Sequence, residues 1–202
     1  MMEEKIGFQS KGLLIEGLLY MQGGERGVVI THPHPLYGGT MHNQVVEALV
    51  RIYRDKGFST LRFNFRGVGD SEGSYDHGKG EKEDVRSALR YLNDRGKRRL
   101  DLAGYSFGAW VNAKIDDSES TIERIIMISP PVTFLDFSSL PLNPKIEAVV
   151  TGGKDDIAAA DRIRSLIYTW NPEIRFEVIE GADHFYSGRI GQLDSVLSRL
   201  IS

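Results

Sequence analysis

Arg99-Leu100-Asp101-Leu102-Ala103-Gly104-Tyr105-Ser106-Phe107-Gly108 carries the decisive change of pattern in this chain. Up to Tyr105 the run is short and mostly apolar, as a buried strand is. From Phe107 onward the pattern turns helical. Between them, Gly104 and Gly108 bracket Ser106 in a G-x-S-x-G arrangement. A serine raised on a sharp strand-to-helix turn needs small residues on both sides, because neighbouring elements approach it closely. At the helix start, the free amide of Phe107 is placed to meet a developing oxyanion. Capping that helix is the ordinary competing use of such a serine.

Outward from this turn, short β-rich runs alternate with helical ones. Gly7–Tyr20 reads as two strands split near Ser10-Lys11-Gly12. Further strands are expected at Gly27–Thr31, Ser59–Phe65, Arg99–Tyr105, Arg124–Ser129, Glu147–Thr151 and Arg175–Ile179. Apolar residues at i, i+3, i+4, i+7 mark helices through Val46–Tyr53, Val85–Leu92 and Ile163–Trp170, with another over Ile190–Ile201. Continuous apolar strands alternating with helices predict a mostly parallel sheet covered on both faces. The expectation is one α/β domain over residues 1–202, with about eight strands, the first two an antiparallel edge hairpin. In such sheets ligands bind at loops beyond the strands' carboxyl ends, here headed by Gly67–Gly80 and Ser129–Pro144.

Composition narrows the function classes. Lys+Arg 25 against Asp+Glu 28 gives a net charge of −3, which offers nothing to nucleic acid. No apolar run approaches the roughly 18 residues of a membrane span. The start, Met1-Met2-Glu3-Glu4-Lys5, has no apolar signal core, so a cytoplasmic location is expected. With no cysteine there is no disulfide framework, thiolate zinc site or cysteine nucleophile. The 22 glycines among 202 residues, without repeats, imply many demanding turns in a folded chain.

A serine hydroxyl needs a base to take its proton and a carboxylate to fix that base. With this turn type the partners follow in the order Ser, Asp or Glu, His. His184, in the loop after the strand ending at Ile179, is the only histidine after Ser106. Asp155 and Asp156 both follow the apolar run Ala148-Val149-Val150. Asp155 is the preferred acid, leaving Asp156 to cap the next helix; Asp183 reads as a turn residue.

These residues together resemble the α/β-hydrolase superfamily across essentially the whole chain. The matching pieces are His32-Pro33-His34-Pro35-Leu36-Tyr37-Gly38-Gly39, Phe65–Gly73, the Ser106 turn, Gly152–Asp155 and Gly181–His184. The His-Pro-His-Pro string followed by Gly-Gly is similar to small capless bacterial hydrolases of dienelactone-hydrolase-like type. The resemblance implies Asp155 as the acid and a second oxyanion amide in the loop after the third strand. Pro33 and Pro35 have no amide hydrogen, so His34 or Leu36 would supply it, His34 by its place in the motif. Lid domains in this superfamily usually enter between the serine and the acid. The 49 residues from Ser106 to Asp155 leave no room for one.

Tyr37, Phe107 and Tyr186 are candidates to line an acyl or alcohol pocket. Phe134, Leu135, Phe137 and Leu140 either wall the site or pack beneath their loop, and Trp110 reads as core. His32, His34 and His42 lack the further ligands a metal site needs, so no metal and no cofactor is called for. The 67–73 glycines miss the G-x-G-x-x-G spacing and read as a turn. The reading is a serine hydrolase acting by acyl transfer on a small-molecule ester or thioester. A binding protein on the same fold, and a small peptidase or amidase, are the competing readings.

Overall fold

A computed structural model of the chain describes residues 2–115 and 121–201. Its strands are β1 (Glu4–Ser10), β2 (Leu13–Tyr20), β3 (Arg26–Thr31), β4 (Ser59–Phe63), β5 (Arg99–Tyr105), β6 (Ile122–Ile128), β7 (Ile146–Gly152) and β8 (Arg175–Ile179). The helices are α1 (Gln44–Asp55), α2 (Lys79–Asn93), α3 (Phe107–Ala113), α4 (Ala160–Trp170) and α5 (Ile190–Leu200). One sheet holds all eight strands in the order β1-β2-β4-β3-β5-β6-β7-β8. β1 and β2 form an antiparallel hairpin, β2 joins β4 antiparallel, and every other pairing is parallel.

The continuous apolar strands have the reason expected of them: alternate residues feed two separate cores. Val29, Leu102, Met127 and Val149 face α2, α3 and α4. Val28, Ile30, Ala103, Ile128 and Val150 face α1 and α5. Burying both faces is what favours a parallel sheet over one with a wet side.

Several strand ends lie one to three residues from the sequence reading, among them the carboxyl ends of β4 and β6. β4 stops at Phe63 rather than Phe65: the Asn64 amide still meets Glu16 O on β2 (3.2 Å), but the Phe65 amide donates to the ring of His32 (3.0 Å) instead of to a strand. β6 stops before Ser129, whose φ of 43° takes it out of the extended region.

The chain runs from β3 outward to β4 and then returns to β5 on the other side of β3. This reversal opens a crevice at the carboxyl ends of β3 and β5, where open α/β sheets bind their ligands. Between β6 and β7 the chain inserts only a loop, with no lid over that crevice. Among the described residues, no helix is long and apolar enough to cross a membrane.

Candidate active site

Ser106 sits at the β5–α3 junction with φ 54° and ψ −116°. A non-glycine residue there costs on the order of 1–3 kcal/mol, so its surroundings must hold it. The Ser106 amide donates to Ile128 O (2.8 Å), and Ser106 O accepts from the Trp110 amide (3.2 Å). A Cβ on Gly108 would lie 2.5 Å from Thr31 Oγ1 and 2.7 Å from Thr31 O, and one on Gly104 2.6 Å from the Ala109 amide. The two glycines let α3 press against β3 and β5 and so force the turn. The Ser106 side chain makes no capping bond.

The hydroxyl points instead at His184. Ser106 Oγ lies 3.0 Å from His184 Nε2, and His184 Nδ1 lies 3.0 and 2.9 Å from the two oxygens of Asp155. A carboxylate can only accept, so the proton is on Nδ1, and Nε2 is free to accept from the serine. All three residues are buried. Burial pushes the Asp155 carboxyl up, but His184, the Ala158 amide and the Ser129 hydroxyl outweigh it and hold it below its ordinary value. The amides of Ile157 and Ala158 donate to Asp155 Oδ1 at 3.0 and 2.7 Å. Asp156 is exposed and caps nothing: α4 starts at Ala160 with Ala159 before it. Asp183 closes a turn through the Ser187 amide (2.9 Å), as its sequence context implies.

His32 and His34 build the loop after β3. His32 is wholly buried; Nδ1–H donates to Pro33 O (2.6 Å) and Nε2 accepts the Phe65 amide (3.0 Å). Both nitrogens are committed, and the neutral ring ties this loop to the end of β4. Burial lowers the His32 pKa from 6.5 to about 4. A His that folds neutral contributes stability that is complete above its unfolded pKa and lost as pH falls towards the folded one. His32 therefore predicts a loss of roughly 3 kcal/mol between pH 7.5 and 4. His32→Gln, which keeps a donor and an acceptor, is expected to remove that component of the slope in urea unfolding against pH.

The His34 side chain caps the short 3-10 helix Pro35–Tyr37, Nδ1 accepting from the Leu36 amide at 3.2 Å. That commits the Leu36 amide. The His34 amide has no hydrogen-bond acceptor in the protein among the described residues. Burial, then the neighbouring His77, lowers the His34 pKa. No cluster of three or more His, Cys, Asp or Glu side chains suited to a metal occurs among the described residues.

Ser106 and His184 open onto a cavity of about 600 Å³. His34, Tyr37, Phe107, Phe134 and Leu135 line it. Phe137 and Leu140 do not; they pack under their loop, and Trp110 packs there too, donating to Asp136 O (2.9 Å). Tyr186 requires a correction. It is 0% exposed and lies behind Asp155, its hydroxyl 2.9 Å from Ser129 Oγ, rather than on the cavity wall. With φ 56°, its backbone turns the ring inward, away from the face on which Phe185 points out.

Residues of the site that the sequence reading did not name include Asn43 on the cavity wall and four others. Phe185 and Ile157 line the cavity, Tyr105 donates to His184 O (2.8 Å), and Ser129 supports Asp155. Phe185 adjoins His184 and Ile157 follows Asp155 by two, so adjacency was an available signal. Ser129, immediately after β6, had the same positional signal.

No family model matches the chain. An α/β serine hydrolase homologue from Coxiella burnetii shares 34% identity, covers 100% of this chain and 99% of its own, and superposes at TM-score 0.92. A lidless α/β serine hydrolase from Xanthomonas campestris shares 26%, with 100% and 94% covered and TM-score 0.90. An uncharacterized protein of Rickettsia prowazekii is 38% identical over 169 residues, covering 78% of this chain and 71% of its own. With identity and fold agreeing over the full length of a solved homologue, the chain belongs to the α/β-hydrolase superfamily, among its lidless serine hydrolase homologues.

Proposed function

We propose that the protein is a serine hydrolase acting by acyl transfer on a carboxylic ester or thioester. The observation that carries this reading is the unbroken hydrogen-bond line from Ser106 through His184 to Asp155, opening at the floor of an apolar cavity. Ser106 Oγ attacks the carbonyl carbon while its proton passes to His184 Nε2. Asp155 stabilises the imidazolium that forms. The tetrahedral oxyanion accepts from the Phe107 amide and from the His34 amide, which Leu36, already committed to His34 Nδ1, cannot replace. Each such donor supplies on the order of 10²–10³ in rate. Collapse breaks the bond to the leaving group, an alcohol or thiol, which takes the proton from Nε2. Water then attacks the acyl-enzyme, gives a proton to Nε2, and the acyl–Oγ bond breaks to release the acid and restore the serine hydroxyl.

A fluorophosphonate probe is expected to label the wild-type protein on one serine and to leave Ser106→Ala unlabelled, by intact-mass measurement. Equal labelling of both would remove Ser106 from its role. Labelling with no turnover of short esters, thioesters or amides would favour a binding protein on the hydrolase fold.

A further inference from the structure

The cavity differs on its two sides of Ser106. On the β3 side lie the proposed oxyanion amide, Pro33, two glycines and the side chains of His34, Tyr37 and Asn43, a mixed set with three polar groups. On the side of β6 and β7 lie Pro131, Phe134, Leu135 and Ile157, all apolar. This wall is preformed. The Phe134 and Leu135 amides both donate to Pro131 O (3.0 and 2.9 Å), and the Thr133 amide donates to Ile157 O (3.2 Å), bracing the 130–135 turn against the loop that carries Asp155. Yet Phe134 is 71% exposed and Phe185, at the mouth, 60%. Apolar surface of this kind, continuous with a reactive group, is the surface a ligand covers.

No Lys, Arg, Asp or Glu is among the described residues that line the cavity. An ionic group on the substrate would lose its water and find no counter-charge. The Asp155 carboxylate lies directly behind His184, which disfavours an anion further. The volume, about 600 Å³, is several times the ~150 Å³ that accommodates benzene. An acetyl group would leave most of it wet.

From this asymmetry we infer that the site takes an uncharged ester or thioester whose acyl part is an alkyl or aryl group well beyond acetyl, seated against Phe134, Leu135 and Ile157. The inference rests on the serine hydrolase reading and names its substrate class. Two contacts orient the substrate: with the carbonyl oxygen held on the β3 side and the leaving group beside His184 Nε2 and Phe185, the apolar wall is left to the acyl group. Phe134 and Ile157 are then the residues that determine chain-length preference.

The test is a kcat/KM series on the full chain with p-nitrophenyl acetate, butyrate, hexanoate and phenylacetate, beside a hemisuccinate and a trimethylammonio-butyrate ester. Burial of each methylene is expected to raise kcat/KM about fourfold, so hexanoate exceeds acetate on the order of 10²-fold. Both charged esters are expected to fall at least tenfold below butyrate. Phe134→Ala, at an exposed position that does not threaten folding, is expected to cut the hexanoate-to-acetate ratio about tenfold. Tyr168→Ala, an exposed aromatic on α4 away from the cavity, is expected to leave the ratio unchanged. A flat or falling chain-length profile, a preference for either charged ester, or an equal fall in the ratio with Tyr168→Ala would overturn the inference. Ser106-dependent turnover of acetate in that same series would leave the hydrolase reading standing. Calorimetry on Ser106→Ala separates the two from the other direction. Tighter binding of neutral phenyl hexanoate than of the monohexyl succinate anion is expected there, and the reverse order overturns the substrate class whatever the wild type turns over.

Discussion

Asp155→Asn is expected to lower kcat for a neutral ester by about 10⁴-fold with KM little changed. The carboxylate accepts from His184 Nδ1 at 2.9 and 3.0 Å and from the Ile157 and Ala158 amides at 3.0 and 2.7 Å. An asparagine that keeps its oxygen on the two amides turns its NH₂ towards the imidazole. The proton must then move to Nε2, where it faces Ser106 Oγ, and the ring no longer accepts the serine proton. The same substitution removes the charge that stabilises the imidazolium. Steady-state kinetics on a short neutral ester would show the loss, and near-wild-type rates would take the acid role from Asp155. Asp156→Asn, at an exposed neighbour with no such partners, is expected to stay close to the wild-type rate. Sign and pH range follow from the depressed Asp155 pKa: its contribution to stability is present above the ordinary carboxylate range and is lost as pH falls through the lower folded value.

Asp84→Ala is expected to cost about 3–5 kcal/mol of unfolding free energy, a major share of what a domain this size has. Asp84 is on α2, fully buried, and its two oxygens accept from Ser10 Oγ (2.6 Å), the Arg66 amide (3.1 Å), Arg66 Nε (3.1 Å) and Arg66 Nη2 (2.8 Å). Truncation leaves a guanidinium and an amide in the interior without their acceptor. It also frees the end of β4, where Arg66 starts the loop passing beside the crevice. The shift in urea midpoint at an unchanged m-value would measure the cost; a loss below 1 kcal/mol would show that water substitutes for the carboxylate. Asp84→Asn, which retains one acceptor oxygen, is expected to lose less than Asp84→Ala.

The strand and helix order was legible because both periods are local. Continuous apolar runs in β3, β5, β6 and β7, and the three-to-four spacing in α1, α2 and α4, are written within ten or so residues. The Ser106 turn was legible in the two glycines that flank it, since a Cβ at 104 or 108 would clash with Ala109 or Thr31. Chain order then singled out His184 and narrowed the acid to the loop after β7. The structure brings these side chains within hydrogen-bonding distance of one another.

Other features depended on pairs far apart in the chain and on backbone angles that no periodicity records. His32 and His34 stand two residues apart in one motif, yet the first is sealed against Phe65 and the second faces the cavity. Tyr186 and Phe185 are neighbours, and a φ of 56° at Tyr186 sends one ring behind Asp155 while the other stays at the mouth. The chemistry of the serine turn is thus set by short-range pattern and chain order. Which aromatic rings line the cavity is set by tertiary packing, because a side chain's direction there follows from a left-handed residue and its distant hydrogen-bond partner rather than from its place in the sequence.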